Sequence, residues 1–225
     1  MPTTSLRACR TLARTRSSKS MAEQRSNYDQ ARDRAEGEFI KYDQEAMIAK
    51  FHLRHDERYL YLRFIAQDYR VDRRTGRIES LAAAGPVHAG FNETLTILDV
   101  LCESKPDCRL SGEYVRVNDL DGIPKTAYLG GNLFDGSAKQ FTHRTAALRA
   151  ACQRLGGIPG EVGDVSYQIP LFEFFPVMLQ FWDADEEFEA VLKVMWDRRT
   201  LDFMRYETTY YAAGHLLDRL QTLMG

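Results

Sequence analysis

Large apolar residues recur at every second position in two neighbouring segments of the C-terminal third, and this period constrains the fold more than any other feature. A period of two is typical of β-strands that turn one face toward a core. The apolar positions of the two segments, in chain order, are Val165, Tyr167, Ile169, Leu171, Phe175, Val177, Leu179 and Phe181. The pattern predicts two antiparallel strands joined by a short turn. A third strand is predicted from Phe188 to Trp196, with Trp196 in the core.

The rest of the chain mixes helical periodicity with further short strands. Helices are predicted over 31–46 with a break at Gly37, between Asn92 and Pro106, from the capping box Ser137–Gln140 to Gly156, and over 206–223. Strands are predicted over 58–65, over 69–71 and around Ile78, followed by a small-residue connection over 82–90. These elements predict an α+β fold with antiparallel strand meanders, flanking helices and a C-terminal helix packed on the sheet.

The first 20 residues differ in composition from everything that follows. They contain five basic residues and no acidic one, and Met21 begins a segment of ordinary composition. We expect 1–20 to be a disordered basic leader, either a transit peptide or the product of an upstream start codon, and 21–225 to be a single domain. Without these five of its 30 basic residues the chain has 25 against 32 acidic ones. This balance argues against nucleic-acid binding.

Composition excludes several other classes of protein. The sequence has no apolar run near the roughly 20 residues that a membrane span needs, and it has no nucleotide-binding loop or nucleophile elbow. Its four cysteines form neither CxxC pairs nor a disulfide framework, and Cys102 falls on the apolar stripe of a predicted helix. We therefore expect a reduced, cytosolic protein with no membrane association, and the sequence identifies no cofactor.

The acidic run, Trp182 to Phe188, lies between the second and third predicted strands and contains four carboxylates. Hard divalent cations bind several oxygen ligands. Asp183, Asp185 and Glu187 are therefore candidate metal ligands, although the spacing is not that of a calcium loop. Trp182, Asp183 and Asp185 are also candidates for binding a small ligand.

The last predicted helix offers partners for the acidic run. Glu207, Tyr211 and His215 recur at i, i+4 and i+8 along the edge of its apolar face. Crowded carboxylates raise one another's pKa, so Glu186 and Glu187 together with Glu207 and His215 are candidate acid–base catalysts. Tyr211 is a candidate ligand-binding residue of the same site.

A structural role is the alternative for the acidic run. Asp185 or Glu186 would then bond backbone amides or an arginine such as Arg205, and the other carboxylates would be solvated. The chain also has 12 Phe and 11 Tyr, some of which suit a contact in a homo-oligomer. A structural, self-associating protein without a ligand is therefore a further alternative.

Several motifs of the C-terminal block resemble the domain-of-unknown-function family 3786 of anaerobic bacteria and archaea. They are Leu155-Gly156-Gly157, Gly163-Asp164-Val165-Ser166-Tyr167, Phe175-Pro176, Phe181 to Phe188, Trp196-Asp197 and Tyr206-Glu207-Thr208. The resemblance extends from about Tyr28 to Gly225 and implies a small cytosolic α+β protein with no defined activity. Some relatives carry a cysteine-rich iron–sulphur segment, which this sequence lacks.

Residues and resemblance together favour an accessory or ligand-binding domain. Its site is predicted at the acidic run and the last helix, and its partner is a small ligand or a protein. A carboxylate- or divalent-metal-dependent enzyme is the alternative.

Overall fold

A computed structural model describes residues 26–124 and 135–225 of the chain. The predicted leader, 1–20, and part of the long loop before the predicted capping box lie outside the described residues. The helices are α1 (Asn27–Phe39), α2 (Gln44–Phe51), α3 (Phe91–Glu103), α4 (Thr145–Arg154) and α5 (Tyr206–Met224). Short 3-10 helices cover Val117–Asp119, Asp135–Phe141 and Thr200–Asp202.

Within residues 26–124 and 135–225, ten strands form one antiparallel sheet. They are β1 (Arg54–His55), β2 (Tyr59–Phe64), β3 (Gln67–Asp72), β4 (Ile78–Ala82), β5 (Gly85–His88), β6 (Tyr114–Val115), β7 (Ile158–Pro159), β8 (Val165–Phe172), β9 (Phe175–Trp182) and β10 (Val191–Asp197). The main path of the sheet is β5-β4-β3-β2-β8-β9-β10-β6, with β1 beside β2 and β7 beside β8. The predicted α+β class is thereby confirmed.

The sheet consists of an early meander, β2 to β5, and a late meander, β8 to β10. A narrow junction joins them, because in the described part of the chain β2 and β8 pair only at Phe64 and Phe172. One further bond there runs from the Ile65 N–H to the Leu171 carbonyl, at 2.7 Å. The two meanders are thus separate local units that share one core.

The alternation that predicted β9 is visible in its burial. Phe175, Val177, Leu179 and Phe181 are fully buried, whereas the residues between them are half-buried. Trp196 of β10 is 2% exposed and lies close to Phe175, with a ring-centroid distance of 6.5 Å. Trp196 is therefore a core residue, as predicted.

Helices cover the apolar face of the sheet. α5 packs on α3 and α4, and α1 packs on α3. The middle of α5 touches the early meander, where the ring of His215 stacks on Phe64 at 5.3 Å. None of the helices in the described ranges has both the length and the apolar character required to cross a membrane.

Three local predictions were wrong. Gly37 lies inside α1, and the break between the first two helices falls after Phe39, where Asp43 caps α2 through the Ala46 N–H at 3.0 Å. The Ser137–Gln140 segment belongs to a 3-10 helix, and α4 begins only at Thr145. The segment 82–90 contains β5, whose pairing with β4 supplies a hairpin that its small residues did not indicate.

One motif of the C-terminal block has a structural explanation. Asp197 is 1% exposed, and its carboxylate accepts hydrogen bonds from the Ser111 N–H, the Ser111 hydroxyl, the Gly112 N–H and the Arg199 N–H. A buried carboxylate with this many donors is well compensated for its lost solvation. The Trp196-Asp197 pair therefore anchors the loop before β6 to the end of β10.

Candidate functional site

The acidic run begins at the end of β9 and continues into the connection before β10. Asp183 accepts hydrogen bonds from the His143 N–H, at 2.8 and 3.1 Å, and its own N–H donates to Asp164 at 2.7 Å. Asp183 therefore fixes the turn before α4 to the end of β9.

The remaining carboxylates of the run face solvent or serve their own turn. Asp185 accepts the Glu187 N–H at 2.8 Å and the Phe188 N–H at 2.7 Å, and these two bonds lower the pKa of its carboxyl. This is the structural role that the sequence offered as an alternative for Asp185. Glu186, Glu187 and Phe188 are exposed.

The run does not gather its carboxylates into one site. Within residues 26–124 and 135–225, no group of three or more His, Cys, Asp or Glu side chains is arranged to hold a metal ion. Trp182 is half-buried, and the Lys193 ammonium lies 4.7 Å from the centre of its ring. Metal or ligand binding by Asp183, Asp185 or Glu187 stays a prediction.

The three candidates on α5 are not neighbours of the acidic run. Glu207 and Tyr211 line a cavity of about 410 Å³ between α1, α3 and the first turns of α5, and this cavity contains no residue of the run. We call it the three-helix cleft. The structure thus brings Glu207 and Tyr211 together, but with residues of α1 and α3 that the sequence did not single out.

His215 lies farther along α5, outside the cleft, and is half-buried against Phe64. Burial lowers the pKa of its imidazole, while the nearby Glu93 carboxylate opposes that effect. Its Nε2 atom is buried and has no hydrogen-bond partner within the described residues. His215 is therefore separated from the other candidate catalytic residues, and its environment favours the neutral ring.

One end of the three-helix cleft is a satisfied polar network. The Asp99 carboxylate accepts the Arg205 N–H at 2.8 Å and the Thr208 hydroxyl at 2.7 Å. The Arg205 guanidinium pairs with Asp99 at 3.4 Å and with Glu103 at 2.6 Å, and Glu103 also accepts the Tyr42 hydroxyl. The network joins the chain after α1, the last turns of α3 and the start of α5.

Burial and charge perturb the titration of this network. Burial raises the pKa of Asp99, although its hydrogen bonds and Arg205 oppose the shift. The bond to Glu103 raises the pKa of Tyr42 to about 12, and burial raises the pKa of the Cys102 thiol to about 12. The thiol therefore stays protonated at neutral pH and is a poor nucleophile.

The rest of the cleft is an apolar wall with three charged residues at its rim, of which Glu38 is paired with Lys41. Ala31 and Ala35 of α1, Leu95 and Leu98 of α3 and Tyr211 of α5 line the wall. Arg34 of α1 and Glu207 of α5 also line the cleft, and both are exposed. A cleft of this size falls within the roughly 300–1,000 Å³ of small-molecule sites, which combine apolar walls with a few polar groups.

Sequence reasoning missed most of the cleft. One signal was present, because Asp99 interrupts the apolar stripe of α3 between Leu98 and Leu101 and is itself buried. A buried acid needs partners. The sequence did not indicate that the partners would be the first residues of α5.

A protein-family model matches most of this chain. The family model described as Domain of unknown function (DUF3786) matches residues 43–219. No curated protein and no solved structure matched the chain. The matched range includes the floor of the three-helix cleft and its α5 wall, whereas α1 precedes it.

Proposed function

The chain belongs to the DUF3786 family, and on that premise we propose that it is a ligand-binding protein whose site is the three-helix cleft. One observation carries the proposal. The cleft leaves an apolar wall and two rim charges open to solvent, while the polar network at its end is already satisfied. A preformed network holds the walls in place, so that a ligand would not have to order them on binding.

The proposal keeps the ligand-binding function that the sequence favoured and moves its site. Glu207 and Tyr211 remain site residues because they line the cleft. The acidic run is replaced by residues of α1 and α3, since Asp183 and Asp185 bond the backbone. The ligand contacts would then be apolar ones along Leu95 and Leu98.

A screen of the full chain with small fragments tests this function. The panel contains neutral, cationic and anionic fragments, each with one apolar ring or alkyl chain, and saturation-transfer NMR detects binding. Ala31→Trp fills the cleft from the exposed face of α1, and Gln30→Trp places the same ring on a residue that does not line it. We expect fragment binding to persist in Gln30→Trp and to disappear in Ala31→Trp. Binding that survives in both variants, or no binding to the wild type, would overturn the proposal.

A carboxylate-dependent enzyme is the second candidate, and the buried Asp99 favours it. A carboxyl whose pKa is raised by burial suits a general acid, and Asp99 lines the cleft. Under this function Asp99→Asn would abolish turnover of a cleft ligand while leaving its affinity within about twofold. If the wild type turned over no cleft ligand and Asp99→Asn only bound that ligand more weakly, the result would favour the binding function instead.

A further inference from the structure

The rim of the three-helix cleft carries two opposite charges that form no ion pair within the described part of the chain. Among the charged residues of the cleft, Arg205 is paired with Asp99 and Glu103, and Glu38 is paired with Lys41 at 2.7 Å. Arg34 and Glu207 have no ion-pair partner within the part of the chain that the structure describes. These two groups are therefore available to a ligand.

The two charges belong to different helices of the cleft. Arg34 belongs to α1 and Glu207 to the first turn of α5, and both helices pack on α3, which forms the floor. A single carboxylate or a single amine would use one charge and leave the other unmatched. A ligand with a separated carboxylate and ammonium would use both.

The wall between the charges is apolar. Ala31 and Ala35 leave space on the α1 side, and Leu95, Leu98 and Tyr211 provide contact area. Exposed ion pairs contribute only about 0–1 kcal/mol each, so most of the affinity must come from apolar contact. The body of the ligand is therefore apolar, and its two ends are charged.

We propose that the cleft binds a short apolar peptide with free termini, its C-terminal carboxylate at Arg34 and its N-terminal ammonium at Glu207. This inference rests on the ligand-binding function proposed above and adds the class of ligand. An arginine fork donates hydrogen bonds to both oxygens of a carboxylate in a bidentate arrangement, and capture of peptide termini is a recurring mode of recognition. Because α1 and α5 both pack on α3 and packed helices lie about 8–10 Å apart, an extended tripeptide of about 10 Å suits charges on the two helices better than a single amino acid.

Calorimetry with blocked peptides tests the assignment of each end. The probes are the tripeptide Leu-Ala-Leu, its N-acetyl form and its C-terminal amide, titrated into the full chain. Because each exposed ion pair is weak, we expect either block to reduce affinity about fivefold. Equal affinity for the free and blocked peptides would overturn the peptide-terminus assignment.

Two substitutions show which residue recognises which end. Glu207→Gln is expected to weaken the free peptide about fivefold and to leave the N-acetyl peptide unchanged, and Arg34→Gln should do the same for the C-terminal amide. Glu186→Gln and Arg74→Gln are matched controls, since both residues are exposed and lie outside the cleft. Either control weakening the peptide as much as its cleft counterpart would overturn the inference.

The outcome also separates this inference from the proposed function. If fragments bind the cleft in a manner blocked by Ala31→Trp but none of the three peptides binds, the peptide class is wrong and the ligand-binding function stands. If neither fragments nor peptides bind, both are wrong.

Discussion

The three-helix cleft and the acidic run both contain several carboxylates, but they use them differently. In the cleft, Asp99 and Glu103 of α3 bond to residues far away in the chain, at the start of α5 and after α1. In the run, Asp185 bonds to amides two and three residues ahead, and Glu186 and Glu187 face solvent. The density of acids along a sequence is thus a poor guide to a site. Asp183 of the run also bonds a distant residue, His143, but that bond fixes a turn at the end of β9 and does not join the three helices of the cleft.

The largest expected effect is that of Asp99→Ala. The substitution leaves the Arg205 N–H and the Thr208 hydroxyl without their acceptor at the start of α5. An unsatisfied buried donor costs about 1–3 kcal/mol, so the free energy of unfolding in urea should fall by about 2–3 kcal/mol. Asp99→Asn keeps one acceptor oxygen and should lose less than half as much. A loss below about 0.5 kcal/mol for Asp99→Ala would contradict the view that this network holds the cleft together.

The difference between the two regions also explains what could be predicted from the sequence. The turn made by Asp185 was available as an alternative because its bonds reach only two and three residues ahead. The Asp99 to Arg205 bond spans 106 residues, and no local pattern indicates which helix will supply the partner. Similarly, the strands of the late meander were predicted from their own alternation, whereas the pairing of β8 with β2 depends on distant contacts at Phe64–Phe172 and Ile65–Leu171. Local periodicity therefore predicted the fold class, but the cleft depends on the tertiary arrangement of α1, α3 and α5.

The next effect concerns His215 of α5 and should appear as a pH dependence of the free energy of unfolding. His215 has a folded-state pKa below its ordinary 6.5, because burial disfavours the charged ring. As the pH falls below about 6.5, the unfolded state takes up the proton first, so stability is lost on acidification. This loss approaches at most about 1.4 kcal/mol per pH unit.

His215→Phe isolates that contribution. The phenyl ring preserves the stacking on Phe64 but does not titrate. The groups that face His215 are Glu93 of α3 and Arg219 and Asp218 of α5, and they remain in the variant. The urea-unfolding free energy of the wild type should decrease more steeply than that of His215→Phe between pH 7 and 5. Parallel curves would contradict the lowered pKa of His215 in the folded protein.

A smaller effect is expected for Asp183→Ala in the acidic run. The side chain is 21% exposed and accepts the His143 N–H, and one hydrogen bond of this kind contributes about 1 kcal/mol. Asp183→Asn retains an acceptor oxygen and serves as the matched control. If Asp183→Ala destabilised the protein more than Asp99→Ala in the same urea titration, the contrast between the two regions would be reversed.

The smallest effect is expected for substitutions of the exposed glutamates of the acidic run, which test whether these side chains are merely solvated or have a function. Glu186 and Glu187 are exposed, so Glu186→Gln and Glu187→Gln should change the unfolding free energy by no more than about 0.5 kcal/mol. Neither should change peptide affinity at the cleft, where Glu207→Gln is expected to do so.

Elemental analysis of protein purified without chelators completes the test, because metal retained by the wild type and lost in Glu187→Gln would make the acidic run a binding site. In that case Glu187 would be a metal ligand, and the carboxylates of the acidic run would have a function beyond solvation.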